Sequence, residues 1–401
     1  MNIIIACDSF KGSLSSQDVA SAISTGLLRA DPGLHLTRIP IADGGEGTVE
    51  AYLAAVGGQR HTCTVSGPLG EPVEADYAVL PDGTAVIEMA QASGLPLLSG
   101  RKPDPLRAGT YGTGQLIRDA LDAGCRSFLI GIGGSATTDG GAGMLQALGA
   151  RFLDREGNPL GPGGGELLRL DRIDLNGFDP RLDGCSVRIA SDVVNPLCGP
   201  QGAAAIYGPQ KGASPREVEL LDAALAHYAD VIVRCTGQDV RNRPGAGAAG
   251  GLGAGLMAFC GAVPGSGIDA MLDAVGFDRL LAGADLVITG EGRIDGQSAS
   301  GKVPVGVARR AKAHRADLPV FALVGGIGPG AREVYGLGID SILSITPGIL
   351  TLEQSMTRAD ELLEDAAERL MRIVLAVTYN IPTEEKSTTQ CPGWQSLVQL
   401  Y

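Results

Sequence analysis

The chain lacks several features that mark common types of site. None of its eight cysteines forms a CxxC pair, and its four histidines lie in no metal-binding or catalytic motif. Structural zinc, CxxC redox chemistry and a histidine-based mechanism are therefore not expected. Scattered single cysteines are typical of small core side chains in a protein of the reducing cytoplasm, which is where we expect this one.

Long apolar runs and positive charge are also scarce. No run approaches the roughly 20 apolar residues of a membrane span, and the opening MNIIIACDSFKGS lacks the basic start and the length of a signal peptide. Lys and Arg number 32 against 45 Asp and Glu, giving a net charge of −13. This balance disfavours nucleic acid or an anionic membrane as a partner. The net charge does not exclude a small anionic substrate, because a pocket can be locally positive.

Two familiar catalytic or cofactor motifs are missing as well. The sequence contains no GxSxG element, which argues against an α/β-hydrolase. No GxGxxG follows the first apolar run, where DSFKGS stands instead. A Rossmann dehydrogenase is therefore not expected.

Glycine is abundant instead, at 60 of 401 residues, against a usual share of roughly 7%. Ten of these glycines follow two short apolar runs, in FLIGIGGSATTDGGAGM at 128–144 and LVITGEGRIDGQSASGK at 286–302. Each run is typical of a buried parallel strand that breaks into a loop at its first glycines. Such loops bring backbone N–H groups close to phosphate, and a following helix N-terminus favours anions. The presence of two such loops in one chain favours a phosphoryl-transfer enzyme over a protein with a purely structural role.

The order of apolar patterns predicts an α/β protein with two domains, since 401 residues exceed one typical core. Strand–helix alternation opens the chain and returns from Ile268, whereas antiparallel strands and turns fill the middle. We predict a parallel-sheet domain built from both chain ends (1–65 and 266–377), an inserted α/β domain (66–265) and an atypical tail (378–401). PGAGAAGGLGAGL at 244–256 is predicted to be a tightly packed helix. The cleft between the domains is the expected site.

Charged side chains follow the first two predicted strands. Asp8 and Lys11 come after the first strand, and Asp43 and Glu46 follow the second. Because the carboxyl ends of parallel strands share one rim of the sheet, these side chains should line the crevice there. Helix caps with exposed charges are the alternative interpretation.

The inserted segment offers two further candidates. Asp192 in SDVVNPL is a potential proton acceptor or metal ligand, and Lys211 in GPQKG is a potential partner for an anion. A purely structural role is an equal alternative for each.

GQSASGKV at 296–303 nearly matches the P-loop pattern GxxxxGK[ST]. Val303 stands where that pattern needs a hydroxyl for Mg²⁺. A phosphate-binding loop of another design, or a tight turn with Lys302 on the surface, therefore fits better than a P-loop.

Eight segments in order resemble the bacterial glycerate kinase family, type I. They are DSFKGSLS at 8–15, ADGGEGT at 42–48, IEMAQASGL at 87–95, GIGGSATTDGGAGM at 131–144, SDVVNPL at 191–197, GPQKG at 208–212, PGAGAAGGLGAGL at 244–256 and VITGEGRIDGQSASGK at 287–302. The resemblance runs from residue 1 to about 375 and leaves out the tail. It implies ATP-dependent phosphorylation of D-glycerate, generally to 2-phosphoglycerate, with Mg²⁺. It also implies two α/β domains, one of them flavodoxin-like, with the site between them.

We divide the candidate residues among roles as a hypothesis. The residues expected to hold ATP phosphates are Gly133, Gly134, Ser135, Thr138, Gly290, Gly292 and Lys302. Those expected to bind substrate are Asp8, Asp43, Glu46 and Lys211. Those expected to be catalytic are Lys11 and Arg293, as neutralisers of charge, and Asp192 and Asp295, as ligands of Mg²⁺ or partners of the attacking hydroxyl. Glu291 is a further metal ligand.

Two alternative functions are left open, and only the second belongs to another class of protein. One is a kinase for another short hydroxy acid, which only the shape of the pocket would distinguish. The other is a non-catalytic, two-lobed protein that binds small anions, which would need the cleft but not two phosphate loops and a ring of acids. The expected partners are small molecules, D-glycerate and ATP. The sequence predicts neither an oligomeric state nor the hydroxyl that is phosphorylated.

Overall fold

A computed structural model of the protein describes residues 1–380. In chain order its strands are β1 (Asn2–Cys7), β2 (His35–Pro40), β3 (Gln59–Ser66), β4 (Pro72–Val79), β5 (Thr84–Glu88), β6 (Ser127–Gly131), β7 (Arg151–Leu153), β8 (Arg172–Asp174), β9 (Ser186–Ala190), β10 (Val263–Gly265), β11 (Leu286–Ile294), β12 (Val320–Ile327) and β13 (Ser341–Ser344). The helices are α1 (Ser16–Ala30), α2 (Thr48–Val56), α3 (Ala90–Ser93), α4 (Tyr111–Asp122), α5 (Ala142–Ala147), α6 (Ala203–Tyr207), α7 (Pro215–Thr236), α8 (Leu252–Phe259), α9 (Gly267–Ala274), α10 (Phe277–Leu281), α11 (Val303–His314), α12 (Leu352–Thr357) and α13 (Ala359–Asn380).

The first sheet is parallel and has the order β2-β1-β11-β12-β13. Numbered by their own sequence order, these strands run 2-1-3-4-5, the flavodoxin-like order. Both faces are covered, which explains the unbroken apolar run of β1. Ile3 and Ile5 pack with α1 and α13 on one face, and Ile4 and Ala6 pack with α9 to α11 on the other.

The second sheet has the order β10-β9-β6-β5-β4-β3. Strands β3, β4 and β5 pair antiparallel, as predicted, and β5, β6, β9 and β10 pair parallel. All of its strands lie between β2 and β11 in the chain, so the predicted fold class is confirmed. The predicted domain limits stay a prediction. Strand β3 already belongs to the second sheet. The chain therefore passes from the first sheet to the second before residue 65, the predicted limit.

Two glycine-rich segments differ from the expectation. Strand β11 continues through Ile294, because β12 is long enough to pair with Glu291 and Arg293. The loop therefore begins at Asp295 and not at Gly290. In 244–256 the helix begins only at Leu252, because Ala249 has φ 52 and the two glycines after it are also left-handed. A right-handed helix cannot include such residues.

The end of the described chain bears on two expectations. Helix α13 continues to Asn380 and so extends into the predicted tail, which begins at residue 378. The rest of the predicted tail, 381–401, lies outside the described residues. Within residues 1–380 no helix has the length and apolar character needed to cross a bilayer.

Candidate active site

A cavity of about 720 Å³ opens at the carboxyl ends of β1, β11 and β12. The strand order of the first sheet reverses at the neighbouring pair β1 and β11. Ligands of open α/β sheets bind in the crevice outside such a point. Six of the residues predicted from the sequence line this cavity: Asp8, Lys11, Glu291, Gly292, Arg293 and Lys302.

Asp8 is the first residue after β1 and is only 5% exposed. Its N–H donates to the Gly290 carbonyl at 2.9 Å, and its Oδ1 accepts from the Ser9 N–H at 2.7 Å. These bonds fix the carboxylate in the cavity lining. Burial raises the pKa of Asp8 to about 7; the charge of Asp43 adds to the rise, and Lys11 opposes it.

The Lys11 ammonium lies among acids from three loops or strand ends. A Cβ added to Gly45 would lie 3.8 Å from its Nζ, so the side chain reaches the loop after β2. Burial works against the charge, but the surrounding carboxylates outweigh it and raise the pKa of the ammonium. Those carboxylates belong to Asp43, Asp8, Glu291 and Glu46.

Glu291 projects from the extended end of β11 and is 5% exposed. Its Oε1 accepts a hydrogen bond from the Ser298 hydroxyl, and Lys302 Nζ lies 3.8 Å from its Oε2. Burial raises the pKa of Glu291, while Ser298 and Lys302 hold it down. Lys302 is also the residue before the first turn of α11, which begins at Val303. Glu291 thus ties the loop before α11 to the strand.

Arg293 and Asp295 face each other at the rim of the site. Arg293 Nε lies 3.7 Å from Asp295 Oδ2, and the two side chains are 67% and 25% exposed. Asp295 Oδ1 also accepts from the Gln297 N–H at 2.9 Å. Arg293 lines the cavity, whereas Asp295 shapes the turn beside it. The catalytic role given to Asp295 stays a prediction.

Asp43 and Glu46 lie in the glycine-rich loop that joins β2 to α2. A Cβ on Gly44 would fall 2.4 Å from the Ala190 carbonyl oxygen, so only glycine fits there. The Gly44 carbonyl accepts from the Gly133 N–H at 3.2 Å. The loop therefore lies against the carboxyl ends of β6 and β9, and both sheets meet at the site.

Glu88, which was not a predicted site residue, holds the same loop from the second sheet. It ends β5, is 2% exposed, and accepts from the N–H groups of Gly47 at 3.2 Å and Val49 at 2.6 Å. Helix α2 has no side-chain cap of its own, so Glu88 satisfies its free N-terminal donors. Burial raises the pKa of Glu88 to about 7 in spite of these two bonds.

The loop after β6 places Ser135 beside Lys211. Lys211 is 3% exposed, and its Nζ donates to Ser135 Oγ at 3.0 Å and to the Thr137 carbonyl at 2.6 Å. Burial lowers the pKa of Lys211 to about 7. The structure therefore joins two residues predicted for different ligands, and Lys211 holds the loop. Gly133 is half-buried and Gly134 exposed, so this part of the loop reaches solvent.

Thr138 and Asp139 lie deeper in the same loop and are both fully buried. That position disfavours the predicted contact between Thr138 and an ATP phosphate. Asp139 accepts from the Thr110 N–H at 2.8 Å and its hydroxyl at 2.9 Å, and from the N–H groups of Gly141 and Gly143 at 3.1 Å. It thereby joins the loop to the starts of α4 and α5, a role that no sequence motif predicted.

Asp192 follows β9 and lies apart from the main cavity. It lines a smaller cavity of about 330 Å³ with Arg309 and Arg310, next to Gly301. Burial raises the pKa of Asp192 to about 6, and a hydrogen bond from Ser266 works against the rise. Asp192 therefore borders the loop before α11 from the side of the second sheet.

The described part of the chain holds no group of three or more metal-ligating side chains. The metal role of Asp192, Asp295 and Glu291 stays a prediction; of the three, only Glu291 lines the main cavity. Asp8 and Glu291 are the two carboxylates that share the main cavity. Mg²⁺ at nucleotide sites takes one or two protein carboxylates together with phosphates and water, so this pair fits such an ion.

Comparison with known proteins gives one consistent result. The model of the family described as "Glycerate kinase family" matches residues 3–375. A protein of Halalkalibacterium halodurans named "Glycerate kinase" is 50% identical over 92% of this chain and 97% of its own length. A protein of Escherichia coli named "Glycerate 2-kinase" is 50% identical over 90% of this chain and 94% of its own.

A solved structure agrees with the sequence comparisons. It is the crystal structure of a candidate glycerate kinase 2 from Salmonella typhimurium LT2. The two chains are 47% identical and superpose with a TM-score of 0.83, over 94% of this chain and 99% of the other.

Proposed function

The chain belongs to the glycerate kinase family and is a kinase, and we propose that it transfers the γ-phosphoryl group of ATP to D-glycerate in the 720 Å³ cavity. The observation that carries the proposal is the position of Lys11 among four carboxylates, at the point where the strand order reverses. We take 2-phosphoglycerate as the product, in keeping with the name of the Escherichia coli relative. A cytoplasmic location stays a prediction from the sequence.

The cations of the cavity suit a triphosphate. Arg293 and Lys302 line it from the end of β11 and the start of α11. Phosphoryl transfer needs positioning and neutralisation of charge more than covalent help, and a helix N-terminus adds to the positive field. These groups would hold the phosphates of ATP, with Lys11 placed to neutralise the group in transfer.

Asp8 and Glu291 would hold Mg²⁺ together with the phosphates. Both are buried, and burial raises the pKa of each, so a nearby cation would favour their charged forms. When bound, the ion would neutralise negative charge on the phosphate oxygens.

The acceptor would lie on the opposite side of Lys11, toward the loops after β2 and β6. There Asp43 approaches the ammonium, and the backbone of Gly133 and Gly134 reaches solvent. A glycerate hydroxyl oxygen would attack the γ-phosphorus, the bond to the β–γ bridging oxygen would break, and Asp43 would take the hydroxyl proton. ADP leaves with the electron pair of the broken bond.

A substrate panel tests this proposal. Purified protein is incubated with ATP and Mg²⁺ plus D-glycerate, L-glycerate, glycolate, lactate or tartrate, and ADP release is followed. We expect ADP release that depends on D-glycerate, with a phosphorus NMR signal of 2-phosphoglycerate. Equal ADP release without any acid, or a clear preference for another acid, would overturn the assignment.

A further inference from the structure

The main cavity differs in chemistry from one side to the other. Its charged side chains follow β1, lie in the carboxyl end of β11 or precede α11. The side chains beyond β12 and β13 and on α12 are apolar or carry only hydroxyls. The apolar lining there consists of Ile327 at the end of β12, Ile345 and Leu350 after β13, Leu352 and Met356 in α12, and Ala359 in α13, with Phe10 added from the loop after β1. Because the sheet order is β1-β11-β12-β13, the charged and the apolar parts lie side by side along the strand ends.

The backbone of β12 forms an open surface at the apolar end. Strand β13 pairs with β12 only as far as Ser344 opposite Val324, and Ile345 then donates its N–H to the Val324 carbonyl. β12 continues to Ile327 beyond that point. A Cβ added to Gly326 would meet no atom within 4 Å. A flat ring can therefore approach this stretch of backbone closely.

The opposite wall of the cavity, which is formed by α12, is hydrogen-bonded to the loop after β1 that carries Lys11. Ser13 Oγ donates to the Met356 carbonyl at 2.6 Å, and a Cβ on Gly12 would lie 3.2 Å from Met356 Cε. Since Gly12 directly follows Lys11, the wall formed by α12 is in direct contact with the loop that carries the ammonium. Part of the apolar lining is freely accessible: Ile327 is 55% exposed and Leu352 is 77% exposed. Neighbouring exposed apolar side chains around a cavity are typical of a ligand site.

We propose that this apolar end binds the purine base of ATP, with the triphosphate extending along the strand ends toward Arg293, Lys302 and Lys11. The proposal rests on the proposed function, since it places the phosphoryl donor of that reaction. The distance from β1 to β13 is three strand spacings, or roughly 14 Å, which gives room for a base, a sugar and a phosphate chain. One ligand then satisfies both halves of a cavity that is apolar on one side and cationic on the other.

Recognition of the base is mainly apolar. The lining contributed by the segment after β13 and by α12 carries no charged side chain within the described residues, and its polar groups are the hydroxyls of Thr346 and Ser355. The Thr346 hydroxyl already donates to the Gly325 carbonyl at 3.3 Å. Affinity for the nucleotide should therefore depend on apolar contact area more than on side-chain hydrogen bonds.

Two neighbouring residues supply a matched test. Leu350 lines the cavity, whereas Ile349 is fully exposed and points elsewhere. We expect Leu350→Asp and Ile327→Asp each to raise the KM for ATP by at least about tenfold, the change expected when about 1.4 kcal/mol of apolar contact is lost. Ile349→Asp should leave it unchanged. The KM for D-glycerate should stay within about twofold in all three variants.

Inorganic triphosphate is the probe that distinguishes binding of the base from binding of the phosphates. It carries the anionic part of ATP without the base, so its inhibition constant should be the same in wild type, Leu350→Asp and Ile327→Asp. An unchanged KM for ATP in both variants would overturn the base assignment. So would a rise confined to the KM for D-glycerate, which would make this end the acceptor site. Failure of the proposed function itself is distinguishable, because wild-type protein would then show no glycerate-dependent ADP release.

Discussion

The Glu88 carboxylate accepts a 2.6 Å hydrogen bond from the Val49 N–H, and this bond joins the two sheets at the site. Glu88 ends a strand of the second sheet, and Val49 lies in the first turn of the helix after β2. The loop between β2 and that helix carries Asp43 and Glu46. The position of these acids relative to Lys11 therefore depends on a buried carboxylate from the other sheet.

Replacing Glu88 should reduce both stability and turnover. We expect Glu88→Ala to lower the free energy of unfolding by about 1.5–3 kcal/mol, because the N–H groups of Gly47 and Val49 lose a charged acceptor. Turnover should fall through misplacement of the loop, with kcat affected more than the KM for ATP. Glu88→Gln, which keeps an acceptor oxygen, should lie between wild type and Glu88→Ala. Urea unfolding measures the change in stability, and steady-state kinetics measure the change in turnover. Glu219→Ala, at an exposed position, is the control. If Glu88→Ala behaved like this control, Glu88 would not hold the loop.

Lys11 should matter for catalysis and little for folding. Loss of a charge that stabilises the transferring group costs about 2.7–4 kcal/mol of barrier, so Lys11→Ala should lower kcat by 10² to 10³. The ammonium is surrounded by acids whose mutual repulsion it relieves, so a small change in melting temperature is also expected. Lys102→Ala, at an exposed lysine, is the matched control. A kcat of Lys11→Ala within threefold of this control would remove Lys11 from the mechanism.

The raised pKa of Asp8 predicts that the stability of the protein depends on pH in a specific way. Its pKa is about 7 in the folded protein against an ordinary value of 3.8, so ionisation costs more in the folded state than in the unfolded one. The cost is absent below about pH 4, grows as the pH rises toward 7, and is complete above that. Asp8→Asn should therefore be more stable than wild type at pH 8, by at least about 1 kcal/mol, with a much smaller difference at pH 4.5.

Urea unfolding at the two pH values, without nucleotide or divalent ions, measures this difference. Asp183→Asn, at an exposed position, should show no comparable dependence on pH. A stability gain of Asp8→Asn that is equal at pH 4.5 and pH 8 would show that the charge of Asp8 is not disfavoured by its surroundings. The same variant should lose activity, since Asp8 lies in the cavity.

Much of the architecture was predictable because it follows local patterns. The unbroken apolar run of β1 and the 22-residue amphipathic helix Pro215–Thr236 are visible in the sequence. The order of the motifs also indicated the family. Strand ends were harder to place: β11 extends through Gly290 and Gly292 because its neighbour β12 offers partners, and that partner is remote in sequence.

The site was predictable only in part, for a similar reason. Asp8, Lys11 and Glu291 follow or end predicted strands, and strand order alone brings them to one rim. Glu88 and Asp139 were missed because each acts on backbone N–H groups, which no side-chain pattern reveals. Lys211 looked like an anion ligand, but its contact with Ser135 depends on how the second sheet folds around the loop.

Removal of the residues after Ile381 should leave turnover unchanged. The family match ends at residue 375, and the residues that line the main cavity all come before residue 360. Kinetics and thermal unfolding of protein ending at Ile381 test this. Loss of glycerate-dependent ADP release would show that the tail contributes to the active protein.

The most direct test of the proposed glycerate kinase activity is the coupling of ADP release to D-glycerate in wild type and in Lys11→Ala, measured side by side with phosphorus NMR of the product. We expect one phosphorylated glycerate, the 2-phosphate, formed in a one-to-one ratio with ADP by wild type and at least about 100-fold more slowly by Lys11→Ala. ADP release that does not require D-glycerate, or a Lys11→Ala rate equal to wild type, would contradict it.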